Sequence, residues 1–435
     1  MKIRSTALAG ALLLAAAGGA LAQDQDGIRQ KAIAVEQDVI TWRRDFHQYP
    51  ELGNREVRTA GIVAGHLRAL GLDEVRENVA HTGVVGVLKG GRPGPVIALR
   101  ADMDALPVTE PEGLPFASKV RTTYNGKEVG VMHACGHDAH TAMLMGVATI
   151  LSGMKADLPG TVVFLFQPAE EGAPEGEEGG ARLMIKEGAL ADPRPEAIFG
   201  MHVWAGLAGQ IFVRPGGAMA GSDQLYITVN GRQTHGASPW TGVDPVVVSA
   251  QTVLALQTMI TRQMNAALSP SVISIGKIDG GVRHNIIPAK VEMAGTIRHL
   301  DPTSHDALLE NIRRTATFTA QASGATAEVN IVPYAPPVFN PTALLERVLP
   351  ALERAGAGHA GVQKDAPPIM ASEDFAYYQK EIPGLFFFLG INDAGVPADQ
   401  GRPGHSPEFR VNDDTLKVGV EAMTRVALEY LSGPR

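Results

Sequence analysis

Cysteine occurs once in the 435 residues, at Cys135. An intramolecular disulfide is therefore excluded, and the sulfur is either buried and inert or held as a thiolate by its neighbours. Positive charge is also scarce, with 38 Lys and Arg against 46 Asp and Glu. A surface of that sign argues against nucleic acid and anionic membrane as partners. No run after the first residues is long and apolar enough to read as a transmembrane helix, which needs about 20 residues. No low-complexity tract or internal repeat is present, and 45% hydrophobic residues exclude wholesale disorder.

The N-terminus has its own logic. Lys2 and Arg4 precede an unbroken apolar run over 7–17, and Ala20-Leu21-Ala22 comes before Gln23. That is the layout of an export signal with a small-residue cleavage site, so we expect residues 1–22 to be removed and the protein to be exported, to the periplasm in a bacterium. A short uncleaved anchor is the plainer alternative. Removal takes away two cations and no acid, moving the net charge from −8 to −10.

The rest is too long for one ordinary core and suits two domains. Apolar residues recur at helical spacing over 28–46 and 57–70. Short β-rich runs at 84–88, 96–99 and 162–166 alternate with helical stretches at 141–151 and 181–185. Such alternation predicts an α/β domain with a mainly parallel sheet flanked by helices, whose ligand chemistry gathers at strand carboxyl ends. Pro/Gly-rich breaks at 214–217 and 333–337 bracket a segment reading strand, helix, strand, strand, helix, strand. Its first helix, 245–264, carries Val246, Ala250, Val253, Ile260 and Met264 at one-face spacing. We therefore expect an α+β domain over 218–333, inserted into a larger one made of 23–217 and 334–435, with the breaks as hinges.

Chemistry concentrates at Met132-His133-Ala134-Cys135-Gly136-His137-Asp138-Ala139-His140. On an extended segment Cys135 and His137 point the same way, which suits gripping a metal. Asp138 reads as a cap for the helix that follows, and His133 and His140 as packing residues. Glu170 and Glu171 follow a strand directly, so one can ligate a metal while the other takes a proton from water. Alone, the pair is equally a solvated acidic loop, as Glu175, Glu177 and Glu178 are taken to be. His202 and His405 gain meaning only as members of a set with Cys135, His137 and Glu171. Asp102 and Asp104 can orient ligating histidines or merely cap a turn.

Several motifs stand in a fixed order: HQYPE at 47–51, RADMDALP at 100–107, CGHDAH at 135–140, QPAEEG at 167–172, HGASP at 235–239, SEDF at 372–375 and GHSPEF at 404–409. Together they resemble the amidohydrolase branch of the aminoacylase/carboxypeptidase metallopeptidase clan, which includes hippurate hydrolases and auxin–amino acid conjugate hydrolases. The resemblance spans essentially the whole chain after residue 22. It implies two divalent cations (zinc, manganese, cobalt or nickel) bridged by Cys135, with Glu171 and His405 on one ion and His137 and His202 on the other. Glu170 would be the general base. Arg100 stands where relatives outside the branch carry a histidine ligand, a place His137 would fill. The inserted domain resembles a ferredoxin-like lid and dimerisation domain, so a homodimer is implied. From it, His235 would stabilise the oxyanion and Asn285 would bind substrate; His284, beside Asn285, departs from the small residue expected there.

The implied activity is hydrolysis of the amide bond of N-acyl amino acids, with such small molecules or short peptides as the only partners. An exported dipeptidase or carboxypeptidase shares the chemistry. A non-catalytic periplasmic binding protein and a cysteine-nucleophile hydrolase are the readings from other classes; the first leaves Glu170 without a use, and the second would survive a chelator.

Overall fold

A computed structural model describes residues 7–433, with side chains from Gly27. The signal assigned to 1–22, with its cleavage after Ala22, lies outside the residues whose side chains are described. No helix among the described residues is long and apolar enough to cross a membrane. The chain separates into two compact units, one made of Met1–Val213, Pro341–Ala366 and Glu381–Arg435, the other of Arg214–Asn340 and Pro367–Lys380.

The first unit is built on an eight-stranded sheet. Its middle four strands, Pro159–Gln167, Arg92–Asp102, Ala197–Trp204 and Gly384–Gly390, run parallel in that spatial order. Antiparallel pairing is confined to the flanks, through Glu74–Val79 and Gly83–Lys89 on one side and Ile211–Phe212 on the other. Every residue of Gly384–Gly390 is buried, and so is all but the last of Ala197–Trp204. Strands covered on both faces read as unbroken apolar runs, which is why they stand out in the sequence. Helices Val57–Ala69, His137–Ser152, Thr342–Gly356 and Leu416–Ser432 pack on the sheet, and Ala7–Gln48 packs on two of these helices.

Parallel register brings the strand ends level. Asp102 pairs with Gln167, and His202 lies beside Phe388. The residues that close these strands therefore converge at one edge of the sheet, where a parallel α/β sheet collects its chemistry.

The second unit holds a four-stranded antiparallel sheet in the order Ser271–Asp279, Lys290–His299, Gly221–Asn230, Thr326–Ala335. With helices Pro245–Gln263 and His305–Ala322 this is the βαββαβ connectivity of a ferredoxin-like domain. The unit extends past the expected limits of 218 and 333. Val338–Asn340 pairs with Gly216–Met219, and the Ala220 amide donates to the carbonyls of Ile369 and Ala371. These bonds hold both Pro/Gly breaks and 367–380 within it. The buried face of helix Pro245–Gln263 also differs from the expected one. Val248, Thr252, Leu256 and Met259 are buried, whereas Val246 and Ala250 are exposed. That helix is apolar around most of its circumference, so spacing alone selects no face.

The expected cap at Asp138 is replaced by an ion network. Its side chain caps nothing; it is fully buried, with Arg43 Nε at 2.9 Å and His47 Nδ1 at 2.8 Å. His47 Nε2 meets Glu110 at 3.0 Å. Burial favours the neutral acid, but the Arg43 guanidinium and His47 outweigh it and hold the Asp138 carboxyl below the usual carboxylate range. The network ties the N-terminal helix to helix His137–Ser152, whose first turn carries the site. Asp138→Ala would take the buried carboxylate from Arg43 and His47, leaving them Asp413 and Glu110 as partners, and we expect a loss of about 3 kcal/mol in urea unfolding. A loss below about 1 kcal/mol would show that the network stabilises little.

Candidate metal centre

Cys135, Gly136 and His137 are not on an extended segment. Gly136 adopts φ 99°, in the left-handed region, and His137 is the first residue of the helix. A Cβ on Gly136 would come within 2.3 Å of Val203 Cγ2. A glycine is therefore required for both its dihedral and its space, and the turn it makes sets Cys135 beside His137.

Two triads of ligand atoms result, each lying within 4.8 Å. One is Cys135, His137 and His202; the other is Cys135, Glu171 and His405. Cys135 belongs to both. Its Sγ is 3.4 Å from His202 Nε2, and His405 Nε2 is 2.9 Å from Glu171 Oε1. The loop bearing His405 is tied down by the His405 amide, which donates to the Ala134 carbonyl at 2.7 Å.

The imidazoles are set as metal ligands by what their other nitrogens do. His202 Nδ1 donates to the Val203 carbonyl at 2.5 Å, which leaves Nε2 unprotonated and facing the Cys135 sulfur. Burial, and then His140, hold it well below the usual histidine range, hence neutral. His137 Nδ1 donates to Asp104 Oδ1 at 3.1 Å, and its buried Nε2 has no hydrogen-bond partner among the described residues. Such carboxylate–histidine pairs fix the tautomer and aim the free nitrogen at a cation. His140 is different. Nδ1 donates to Asp102 Oδ1 at 2.6 Å while Nε2 accepts from the Val203 amide at 2.8 Å, so both nitrogens are occupied. It is an orienting residue rather than simple packing.

Charge makes the same point. Burial first, then Glu171, Glu170 and Asp102, push the Cys135 thiol well above its ordinary value. Burial opposes protonation of His137, but Asp102 and Asp104 raise it to about 10. A sulfur crowded by acids and an imidazole drawn toward a proton both describe a place that demands positive charge. The donor set, one thiol, three imidazoles and a carboxylate with a second beside it, fits zinc and its neighbours among the divalent transition metals.

Glu170 Oε2 lies 3.9 Å from His137 Nε2, at the rim of this cluster. His235 and Asn285 lie in the second unit, joined by the Gly236 amide donating to the Asn285 carbonyl at 2.9 Å. His235 is exposed, with Nδ1 accepting from the Ala237 amide; Asn285 Oδ1 is buried without a partner among the described residues, and His284 is exposed.

Glu56 is a further member that sequence reasoning missed. It is fully buried, accepting from the Ala169 amide at 2.9 Å and the Thr82 hydroxyl at 2.5 Å. Ala169 has φ 51°, an unfavourable dihedral for a side-chain-bearing residue, and Glu56 holds the turn that presents Glu170 and Glu171. Its only sequence signal is an acid just after the HQYPE motif.

Peptidase family M20/M25/M40 matches residues 98–429. Bacillus subtilis N-acetylcysteine deacetylase is 37% identical over 394 residues, 90% of this chain and 97% of that one. Thermostable carboxypeptidase 1 of Saccharolobus solfataricus is 38% identical over 400 residues, covering 91% of this chain and 96% of that one. Among solved structures, a dinuclear metal-binding M20 peptidase from Bacillus subtilis aligns with a TM-score of 0.76 and 35% identity, over 92% of this chain and 99% of that one.

Two expectations follow from the geometry. Gly136→Ala forces both a strained φ and a backbone shift, so urea unfolding should show a loss of about 2–4 kcal/mol; an unchanged midpoint would remove the glycine requirement. Burial first, then Asp104, raise Glu56 to about 8, so in metal-free protein the folded state holds its proton where the unfolded chain has lost it. Stability should then fall as pH rises from about 5 to 8, by a few kcal/mol, and Glu56→Gln should flatten that fall. Parallel urea midpoints for the two proteins across this window would refute it.

Proposed function

The chain belongs to peptidase family M20/M25/M40 and is a metal-dependent amide-bond hydrolase, and we propose that its substrates are N-acyl amino acids. One observation carries the site assignment: two ligand triads share a single sulfur. In this reading Cys135 would serve both of two divalent cations, Glu171 and His405 would hold one, and His137 and His202 would hold the other. When bound, the cations supply Lewis acidity, polarising the scissile carbonyl and acidifying a water toward neutral pH.

The chain's own groups do the rest. Glu170, beside the ligand set without being needed by either triad, takes the proton from water and returns it to the departing amine nitrogen. Asp104 keeps His137 in its ligating tautomer, and the Val203 carbonyl does so for His202. His235 donates to the developing oxyanion and Asn285 offers its amide to the substrate's polar end, both from the second unit. We also propose that this unit forms a homodimer and that residues 1–22 direct export, so that substrate is met outside the cytoplasm.

The deacetylase relative supports an acyl amino acid, while the carboxypeptidase relative keeps a peptide substrate as the second reading. Turnover of hippurate and other N-acyl amino acids beside dipeptides decides between them. Faster cleavage of dipeptides across the panel would overturn the acyl reading. Glu170→Gln should keep both metals, counted by mass spectrometry, and lose at least 100-fold in kcat. His235→Ala should lose about 100- to 1000-fold in kcat with metal content unchanged. Retained turnover in either variant removes that residue from its role.

A further inference from the structure

The second unit contains a cluster to which the hydrolytic reading gives no use. Strand Gly221–Asn230 carries Asp223 near its start, strand Lys290–His299 ends at His299, and helix His305–Ala322 begins at His305. The three ligand atoms lie within 4.8 Å of one another. No residue is shared with the centre around Cys135.

His299 is the unexplained member. The residue is 1% exposed, and neither ring nitrogen makes a well-formed hydrogen bond among the described residues, although the Asp301 backbone lies close enough to favour its protonated form. Burying an imidazole so incompletely satisfied is unfavourable by the desolvation of its polar atoms, so its surroundings must offer something a hydrogen-bond count misses. Its ring stacks on that of His305, with centroids 3.9 Å apart and planes within 9°. Both rings turn Nε2 toward the same carboxylate oxygen, Asp223 Oδ2, at 2.8 Å from His305 and 3.8 Å from His299. Those separations straddle the edge of about 3.3 Å for a tetrahedral ion with bonds of about 2.0–2.1 Å.

We propose that Asp223, His299 and His305 form a further divalent transition-metal site, separate from the hydrolytic centre, with zinc as the fitting ion. Two imidazoles and one carboxylate are a ligand set of the zinc type, and the fourth position is left to water. Binding displaces the Nε2 proton of His305 that otherwise faces Asp223. The His305 side chain is 22% exposed, which gives the ion its entry. Because the rings are parallel, one ion cannot lie in both ring planes, so the more exposed His305 has to rotate out of the stack, by roughly 50°, to reach an ion held between His299 and Asp223. The bound ion would staple two adjacent strand ends to the first turn of a helix.

The test counts ions. The unaltered chain, H305A and D223N are saturated with Zn2+, desalted, and analysed for zinc per chain by inductively coupled plasma mass spectrometry. A deficit of one zinc per chain in both variants, with amide hydrolysis retained, bears the proposal out. The deficit is independent of how many ions the Cys135 centre holds and of which substrate it cleaves. Equal zinc in all three overturns it. Anomalous diffraction at the zinc edge on the unaltered chain decides without any substitution: a peak between Asp223 and His305 supports the site, and its absence at saturating zinc overturns it.

Discussion

The electrostatics of one sulfur govern the first unit. Cys135 lies against Glu171, Glu170 and Asp102, neighbours that oppose a thiolate, in a setting where burial opposes it too. Only added positive charge would make the thiolate the stable form, and in the proposed centre metal coordination would supply it. The same charge relieves the other tensions of the site: the buried bare nitrogen of His137 gains a partner, and the acidic loop at Glu170 and Glu171 is compensated. Metal and polypeptide therefore stabilise one another, which is why so many anionic groups can stand together at one edge of a sheet.

Holding that arrangement is the work of the strand ends. Arg92–Asp102, Pro159–Gln167 and Ala197–Trp204 end level because they are parallel and in register, and each delivers a different kind of group. The first delivers Asp102 and Asp104, the second the loop with Glu170 and Glu171, the third His202. Hydrogen bonds cross between these loops rather than along them. The Met103 amide donates to the Gln167 carbonyl at 2.8 Å, and the Glu171 amide to Asp104 Oδ2 at 3.0 Å. Asp104 thus positions a histidine of one triad with one oxygen and the backbone of the other triad's carboxylate with the second.

What could be read from the sequence was whatever has a local signature. The buried parallel strands appear as apolar runs, and the second unit's six elements appear in order because each is bounded by turn residues. Cys135, His137 and the Glu170–Glu171 pair announce themselves by residue type and spacing. Failures came where one local signal had two structural solutions. A Cys-X-His spacing fits an extended segment, but glycine at the middle position permits the tighter turn that the structure uses. An acid in the first turn of a helix reads as a cap, yet Asp138 answers to Arg43 and His47, some ninety residues earlier. Glu56 and His140 act through tertiary contacts that leave no periodicity to find, whereas Asp104, just past a strand end, could be read as an acid able to orient a histidine.

Arg100 fixes the acid that closes the strand nearest the cluster. Its guanidinium is buried and binds Asp102 Oδ2 at 2.6 Å and Gln167 Oε1 at 2.9 Å. Asp102 Oδ1 is taken by His140. Both oxygens of Asp102 are therefore committed to a cation and an imidazole, and burial is outweighed by His137, His140 and Arg100 in holding it ionised. Asp102 is thereby held in place as a buried anion beside the ligand cluster, each of its oxygens already bonded within the protein. The group common to both triads, Cys135, comes from a different chain segment. Exchanging Arg100 would remove the guanidinium from a buried carboxylate and leave His140 as its remaining hydrogen-bonded partner, so in the proposed centre the arginine serves to keep Asp102 ionised while Cys135 would supply the anion shared by the cations.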